Sequence, residues 1–120
     1  TDGRRFPWGE DFDRTAYVHM QKSDAGPEPV GSRPSGASPY GAMDMIGNVW
    51  EWTRSSFRAY REDAPEDMRV PYGPKHHVVR GGAWDQHHLK PVPVRAAFRL
   101  PVKPDQRNSD LGFRCVQDAR

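Results

Sequence analysis

The sequence predicts an α+β domain: a small, twisted antiparallel sheet carried among long loops. Three observations lead there. Segments that alternate with the period of a strand are few and short. Glycine and proline number 11 and 12 among 120 residues and cluster between the apolar stretches, as turn and loop residues do. Leu, Ile, Val and Phe occupy only 19 positions, yet four Trp, four Tyr and five Phe are present; these bulky anchors distinguish a folded chain from a disordered one of similar polarity.

Along the chain, residues 1–20 place Phe6, Trp8, Phe12 and Tyr17 among acids, Pro7 and Gly9, which predicts an irregular segment docked by its aromatics. Residues 21–40 are rich in Ser, Gly and Pro and predict a surface loop. From Met43 to Thr53 the pattern resumes a core. Trp50 and Trp52 stand two apart, the spacing of one strand face. Residues 54–75 are charged and proline-broken, another loop. Val78-Val79-Arg80 predicts a strand stopped by Gly81-Gly82. Val92 to Leu100 predicts a second, interrupted by Pro93. Gly112 to Val116 predicts a third, with Phe113 and Cys115 on one face. A thiol in that position reads as buried and inert rather than nucleophilic.

The bulk numbers exclude several classes of function. The net charge is +2, and fourteen Arg and four Lys are interspersed with 16 acids, so no clustered basic footprint for nucleic acid exists. No apolar run approaches the about 20 residues of a membrane span. Cys115 is the one cysteine, so no internal disulfide reinforces the thin core. A bound metal or further protein is the usual substitute.

The most informative run is Gly47-Asn48-Val49-Trp50-Glu51-Trp52. A carboxylate held between two tryptophans needs a positive partner. Asp44, Gly47, Val49 and Glu51 form a candidate ligand set, with two carboxylates bracketing a glycine turn that can turn carbonyls inward. Calcium takes such mixed oxygen donors. The same residues allow a plainer reading, in which Glu51 pairs with a nearby arginine and Asp44 caps a turn. His76-His77 and His87-His88 are two pairs which, facing one another, would suit zinc, copper or iron; as loop histidines they would simply be exposed. Arg80, Arg95, Arg99 and Arg114 lie near strand ends and read as binders of carbonyls and carboxylates within the fold rather than of an anionic substrate.

Several stretches together carry a family resemblance: Arg5-Phe6-Pro7-Trp8-Gly9, the segment Tyr40 to Thr53, Val79-Arg80-Gly81-Gly82-Ala83-Trp84, Arg95-Ala96-Ala97-Phe98-Arg99 and Leu111-Gly112-Phe113-Arg114. In this order they resemble the formylglycine-generating enzyme, or sulfatase-modifying-factor, family, whose fold is a C-type-lectin-like variant. The resemblance implies that residues 1–120 are the C-terminal portion of such a domain. The N-terminal part, on the same chain or a separate one, would then be its first partner. It also implies structural Ca²⁺ at Asp44, Gly47, Val49 and Glu51. A second calcium site of the family loses a ligand to Ala16.

The family's catalytic pattern does not carry over. The two copper-binding cysteines of formylglycine generators fall on Gln86 and Pro91, which supply no thiolate. The resemblance therefore implies a calcium-stabilised module that binds a small-molecule or peptide ligand or serves as an accessory domain, with Trp84, Gln86, His87, His88 and Arg95 as candidate ligand-binding residues. Two alternatives follow from relatives. One is the lectin-like half of a non-heme iron oxygenase of the ergothioneine-type sulfoxide synthase class, a metal-dependent oxidoreductase acting on a thiol substrate. The other is a variable binding protein of a diversity-generating retroelement, whose variable segment would span about residues 85–108. An oxidase with iron or copper on histidines is a further expectation.

Overall fold

The computed structural model describes residues 3–17, 26–60, 75–85 and 95–118. Its centre is a four-stranded sheet of β1 (Trp50–Ser56), β2 (His77–Arg80), β3 (Leu100–Val102) and β4 (Leu111–Gly112), in the order β3-β2-β1-β4. Among the described residues there is no α-helix; the one helical element is a 3-10 turn at Pro34–Gly36. The helical half of the expected α+β class is therefore not seen there.

The sheet is mixed, not antiparallel throughout. β1 and β2 pair antiparallel, with Glu51 opposite Arg80 and Trp52 opposite Val79, and the register shifts between Trp52 and Ser56. β2 and β3 also pair antiparallel, Val79 opposite Leu100. β4 pairs parallel with β1, Trp50 opposite Leu111. The parallel pair arises because the chain leaves β3 at one edge and returns at the other, beyond β1. Trp50 N–H donates to Asp110 O at 2.7 Å and sets the register there. Parallel pairing requires such a crossover, because a tight hairpin can join only antiparallel neighbours.

Trp50, Val79, Ala83 and Val102 form the buried core, with Trp52, Phe98, Leu100 and Leu111 packed against it. Trp50 and Trp52 meet the same cluster, as their spacing predicts. Val79 is fully buried, and the Trp50 and Phe98 rings lie 5.9 Å apart.

The N-terminal segment is irregular, as expected, and its aromatics pack on one another. Phe6 and Gly9 exchange backbone hydrogen bonds of 2.8 and 3.1 Å, and this tight turn stacks Phe6 on Trp8 and Trp8 on Tyr17. Phe12 closes the group edge-on to Phe6 and Tyr17. The segment is fastened to the rest at two places. Ala96 N–H donates to Arg5 O at 3.0 Å. Gly36 lies so close to Ala16 that a Cβ there would stand 1.7 Å from the Ala16 carbonyl oxygen.

Two predicted strands are displaced. The expected strand from Val92 to Leu100 is replaced by β3 at Leu100–Val102. Val92, Pro93 and Val94 lie outside the described residues, and Arg95–Phe98 is a turn closed by Phe98 N–H on Arg95 O at 2.9 Å. Ala96 cannot join a ladder there because its N–H is committed to Arg5. The strand expected over Gly112 to Val116 ends at Gly112. Phe113 and Val116 are exposed, and so is the Cys115 thiol, contrary to the expected burial. Past Gly112 the chain leaves the sheet, and the Arg114 side chain, rather than a ladder, ties it down.

Trp50→Ala should cost about 3–5 kcal/mol of stability, as a large-to-small change in a packed core. Denaturant unfolding measures it; a loss below about 1 kcal/mol would contradict the burial of that ring.

Candidate cation-binding site

The loop entering β1 carries the site. Asp44 and Asn48 have left-handed backbones, φ 53° and 65°, a conformation that short polar side chains tolerate better than most. Gly47 N–H donates to Gly81 O at 2.7 Å, and Trp84 N–H donates to Asn48 O at 2.9 Å. The Gly47-Asn48 turn is thereby stitched to the loop that follows β2. Gly81 has φ 94°, and a Cβ on it would stand 3.2 Å from Met45 O, so this junction needs glycine.

Asn48 is the described chain's buried polar side chain, 6 % exposed. Its Oδ1 accepts Glu28 N–H at 2.9 Å and its Nδ2 donates to Glu28 O at 3.2 Å. The amide thus pairs with one backbone unit as a neighbouring strand would. Glu28 in turn holds Arg33 by two hydrogen bonds, 3.0 and 2.5 Å, and that bonding raises the Arg33 pKa. The loop from 28 to 33 is braced at both ends.

Glu51 follows on β1, on the face opposite the two indoles. Arg114 grips it with both nitrogens on one side of the guanidinium: Nε donates to Oε2 at 2.6 Å and Nη2 donates to Oε1. The same guanidinium donates to Met43 O at 2.8 Å and Asp44 O at 3.0 Å. The Asp44 carboxylate accepts Gly31 N–H at 2.6 Å. The Arg114 pKa is raised, first by the hydrogen bonding to Glu51, against the opposing effect of burial, and then by the charges of Glu51 and Asp44. Glu51 therefore pairs with an arginine and Asp44 caps a loop, the plainer of the two arrangements the sequence allowed.

Asp44, Val49, Glu51 and Arg114 also line one cavity of about 390 Å³. Three of the four residues expected to ligate calcium are thus brought together. Gly47 is buried, with its N–H on Gly81. Among the described residues no group of three or more His, Cys, Asp or Glu could hold a metal through side chains. A cation in this cavity would have to lean on backbone carbonyls as well as the two acids.

The remaining candidates separate. His77 meets the Trp52 ring edge-on at 6.3 Å, and the His76 carbonyl accepts Phe57 N–H at 2.7 Å. His87, His88 and Gln86 lie outside the described residues, as does Pro91, so the facing of the two histidine pairs is not described. Arg95 is exposed. Among the described residues, the Trp84 indole N–H and one Asp85 carboxylate oxygen are buried without a hydrogen-bond partner. Arg80 donates to the carbonyls of Ala96 and Phe98 and to the Tyr60 hydroxyl. Arg99 donates to Arg58 O and lies over the Phe57 and Tyr60 rings. Arg80, Arg99 and Arg114 thus play the structural part expected of them.

Residues 1–119 match the sulfatase-modifying factor enzyme 1-like domain. The chain belongs to that family. Relatives include the hercynine oxygenase of Mycobacterium tuberculosis, 36% identical over 96% of this chain and 27% of that protein. Another is the inactive C-alpha-formylglycine-generating enzyme 2 of Bos taurus, 32% identical over 98% of this chain and 38% of that protein. The chain thus spans about a quarter to two-fifths of these relatives' length. Among solved structures, the Treponema denticola variable protein 1 shares the fold, with a TM-score of 0.64 at 24% identity over 92% of this chain and 40% of that one. The small mixed sheet with almost no helix, seen among the described residues of this chain, is consistent with that fold.

Asn48 is the site residue that sequence reasoning missed. Its one local signal is the Gly-Asn pair, which favours a left-handed turn; nothing local points to Glu28. Asn48→Ala should destabilise the protein by about 2–3 kcal/mol, since it strands a buried N–H and a carbonyl at once. Thermal melting measures it, and a loss under about 0.5 kcal/mol would mean that water replaces the amide freely.

Proposed function

We propose that this chain is a calcium-stabilised, C-type-lectin-like module that supplies a ligand- or protein-binding body to a larger protein and does not generate formylglycine. The observation that carries the reading is the convergence on one cation, Arg114, of the Glu51 carboxylate and the Met43 and Asp44 carbonyls. The site is built from hard oxygen atoms around positive charge. That donor chemistry fits calcium, which prefers carboxylate and carbonyl oxygens in a flexible shell. Asp44 and Glu51, with the carbonyls of Gly47 and Val49, would hold the ion. It would neutralise two acids and cross-link the loop before β1 to the strand itself. Binding to a site that exists only in the folded chain adds directly to folding stability.

The reading against formylglycine formation rests on Gln86 and Pro91, which stand where the family's catalytic cysteines would be. The partner that would complete the module is the remainder of its domain. A second reading is favoured by the hercynine oxygenase match, which spans 96% of this chain: the module is the lectin-like part of an oxygenase whose iron is held by histidines elsewhere in the parent protein. In both readings this chain contributes framework and pocket wall. Trp84, Gln86, His87, His88 and Arg95 would face the ligand.

In the full-length protein, calcium at a hundredfold excess over its Kd should stabilise the wild type by about 2.7 kcal/mol. Glu51→Gln should abolish most of that gain. Scanning calorimetry with calcium and with chelator measures both, and an unchanged calcium effect in the variant would remove Glu51 from the site.

A further inference from the structure

We propose that Arg114 is a built-in competitor of calcium, so that the ion and the C-terminal segment from Phe113 onward bind Glu51 in turn and not together. The inference rests on the calcium reading and concerns what sets the affinity of that site. Arg114 occupies both oxygens of Glu51 and adds the Met43 and Asp44 carbonyls. It does so on the wall of the cavity that Asp44, Val49 and Glu51 also line. An ion that takes Glu51 there must break the paired hydrogen bonds, or else sit beside a permanent positive charge.

The pair is also placed to exchange. The side chains of Arg114 and Glu51 remain 35% and 21% exposed, so water can reach both as they part. Among the described residues, little besides Arg114 fastens its segment. β4 ends at Gly112, no regular structure follows to residue 118, and Phe113 and Val116 are exposed at 75% and 93%. Neither side chain anchors the chain in the core. Among the described residues the guanidinium's four hydrogen bonds are its visible attachment, and two of them end on the same acid the ion needs. With the metal bound, the strap is free; without it, Arg114 supplies the missing charge and keeps the half-buried acid neutralised.

Two measurements on the full-length protein test this. Calcium titration calorimetry of wild type and Arg114→Gln should show the variant binding about tenfold more tightly, within the usual range of coupling between sites. Arg114→Lys, which keeps the charge but loses the two-pronged grip, should fall between them. In the wild type, with no substitution to disturb folding, calcium should speed hydrogen exchange at residues 113–116 while leaving β1 protected. Equal or weaker binding by Arg114→Gln overturns the proposal, as does unchanged or slowed exchange at 113–116. If neither protein binds calcium, the underlying calcium reading fails as well, and that result is distinct from binding that ignores Arg114.

Discussion

A half-buried carboxylate on a strand cannot be left without a counter-charge, and Glu51 is such a group. Its backbone is fixed because Trp50 and Trp52 on either side are packed against the core. The strand alternation that turns the indoles inward turns Glu51 outward, toward the loop of Met43 and Asp44. The carboxylate cannot withdraw into water without moving the strand, so a cation must come to it. Arg114 does so, and in doing so fixes where the last segment lies. With about a third of Arg114 still exposed, the pair itself contributes nearer about 1 kcal/mol than several. Its importance is geometric: one planar group joins β1, the loop before it and the segment after β4.

The second constraint is the irregular backbone of that loop. A loop-rich body has many peptide groups outside any ladder, and each buried one needs a partner. The structure answers with side chains and carbonyls placed as surrogate strands. Asn48 offers a donor and an acceptor with the spacing of a peptide and takes up Glu28. Arg80 takes the carbonyls of Ala96 and Phe98, and Arg99 takes that of Arg58. Such roles favour arginine over lysine. A guanidinium satisfies several carbonyls in a plane, whereas an ammonium is a compact, strongly hydrated charge.

What the sequence disclosed divides by distance along the chain. Trp50 and Trp52 could be placed on one face from their spacing, and β2 from the run Val78-Val79-Arg80, because a strand's face is a local property. The N-terminal aromatics were legible for the same reason. The ends of β3 and β4 were not. Whether Ala96 enters a ladder depends on Arg5, and whether the chain stays in the sheet after Gly112 depends on Glu51, 63 residues before Arg114. The site was half legible: spacing gathered Asp44, Val49 and Glu51, but nothing near them in sequence named Arg114 as the charge between them. Asn48 and Glu28, 20 residues apart, were hidden in the same way.

This division bears on function. The well-packed elements, β1 with β2 and the Gly47-Asn48 turn, are fixed by cores and short hydrogen bonds. The loop after Gly81 starts from that fixed ground, since Gly81 O and Trp84 N–H are both held by the turn. The Trp84 indole N–H and one Asp85 oxygen, buried without a partner among the described residues, lie at the end of this frame. A polar group kept there carries an energetic cost, which a bound ligand would relieve under the function proposed above.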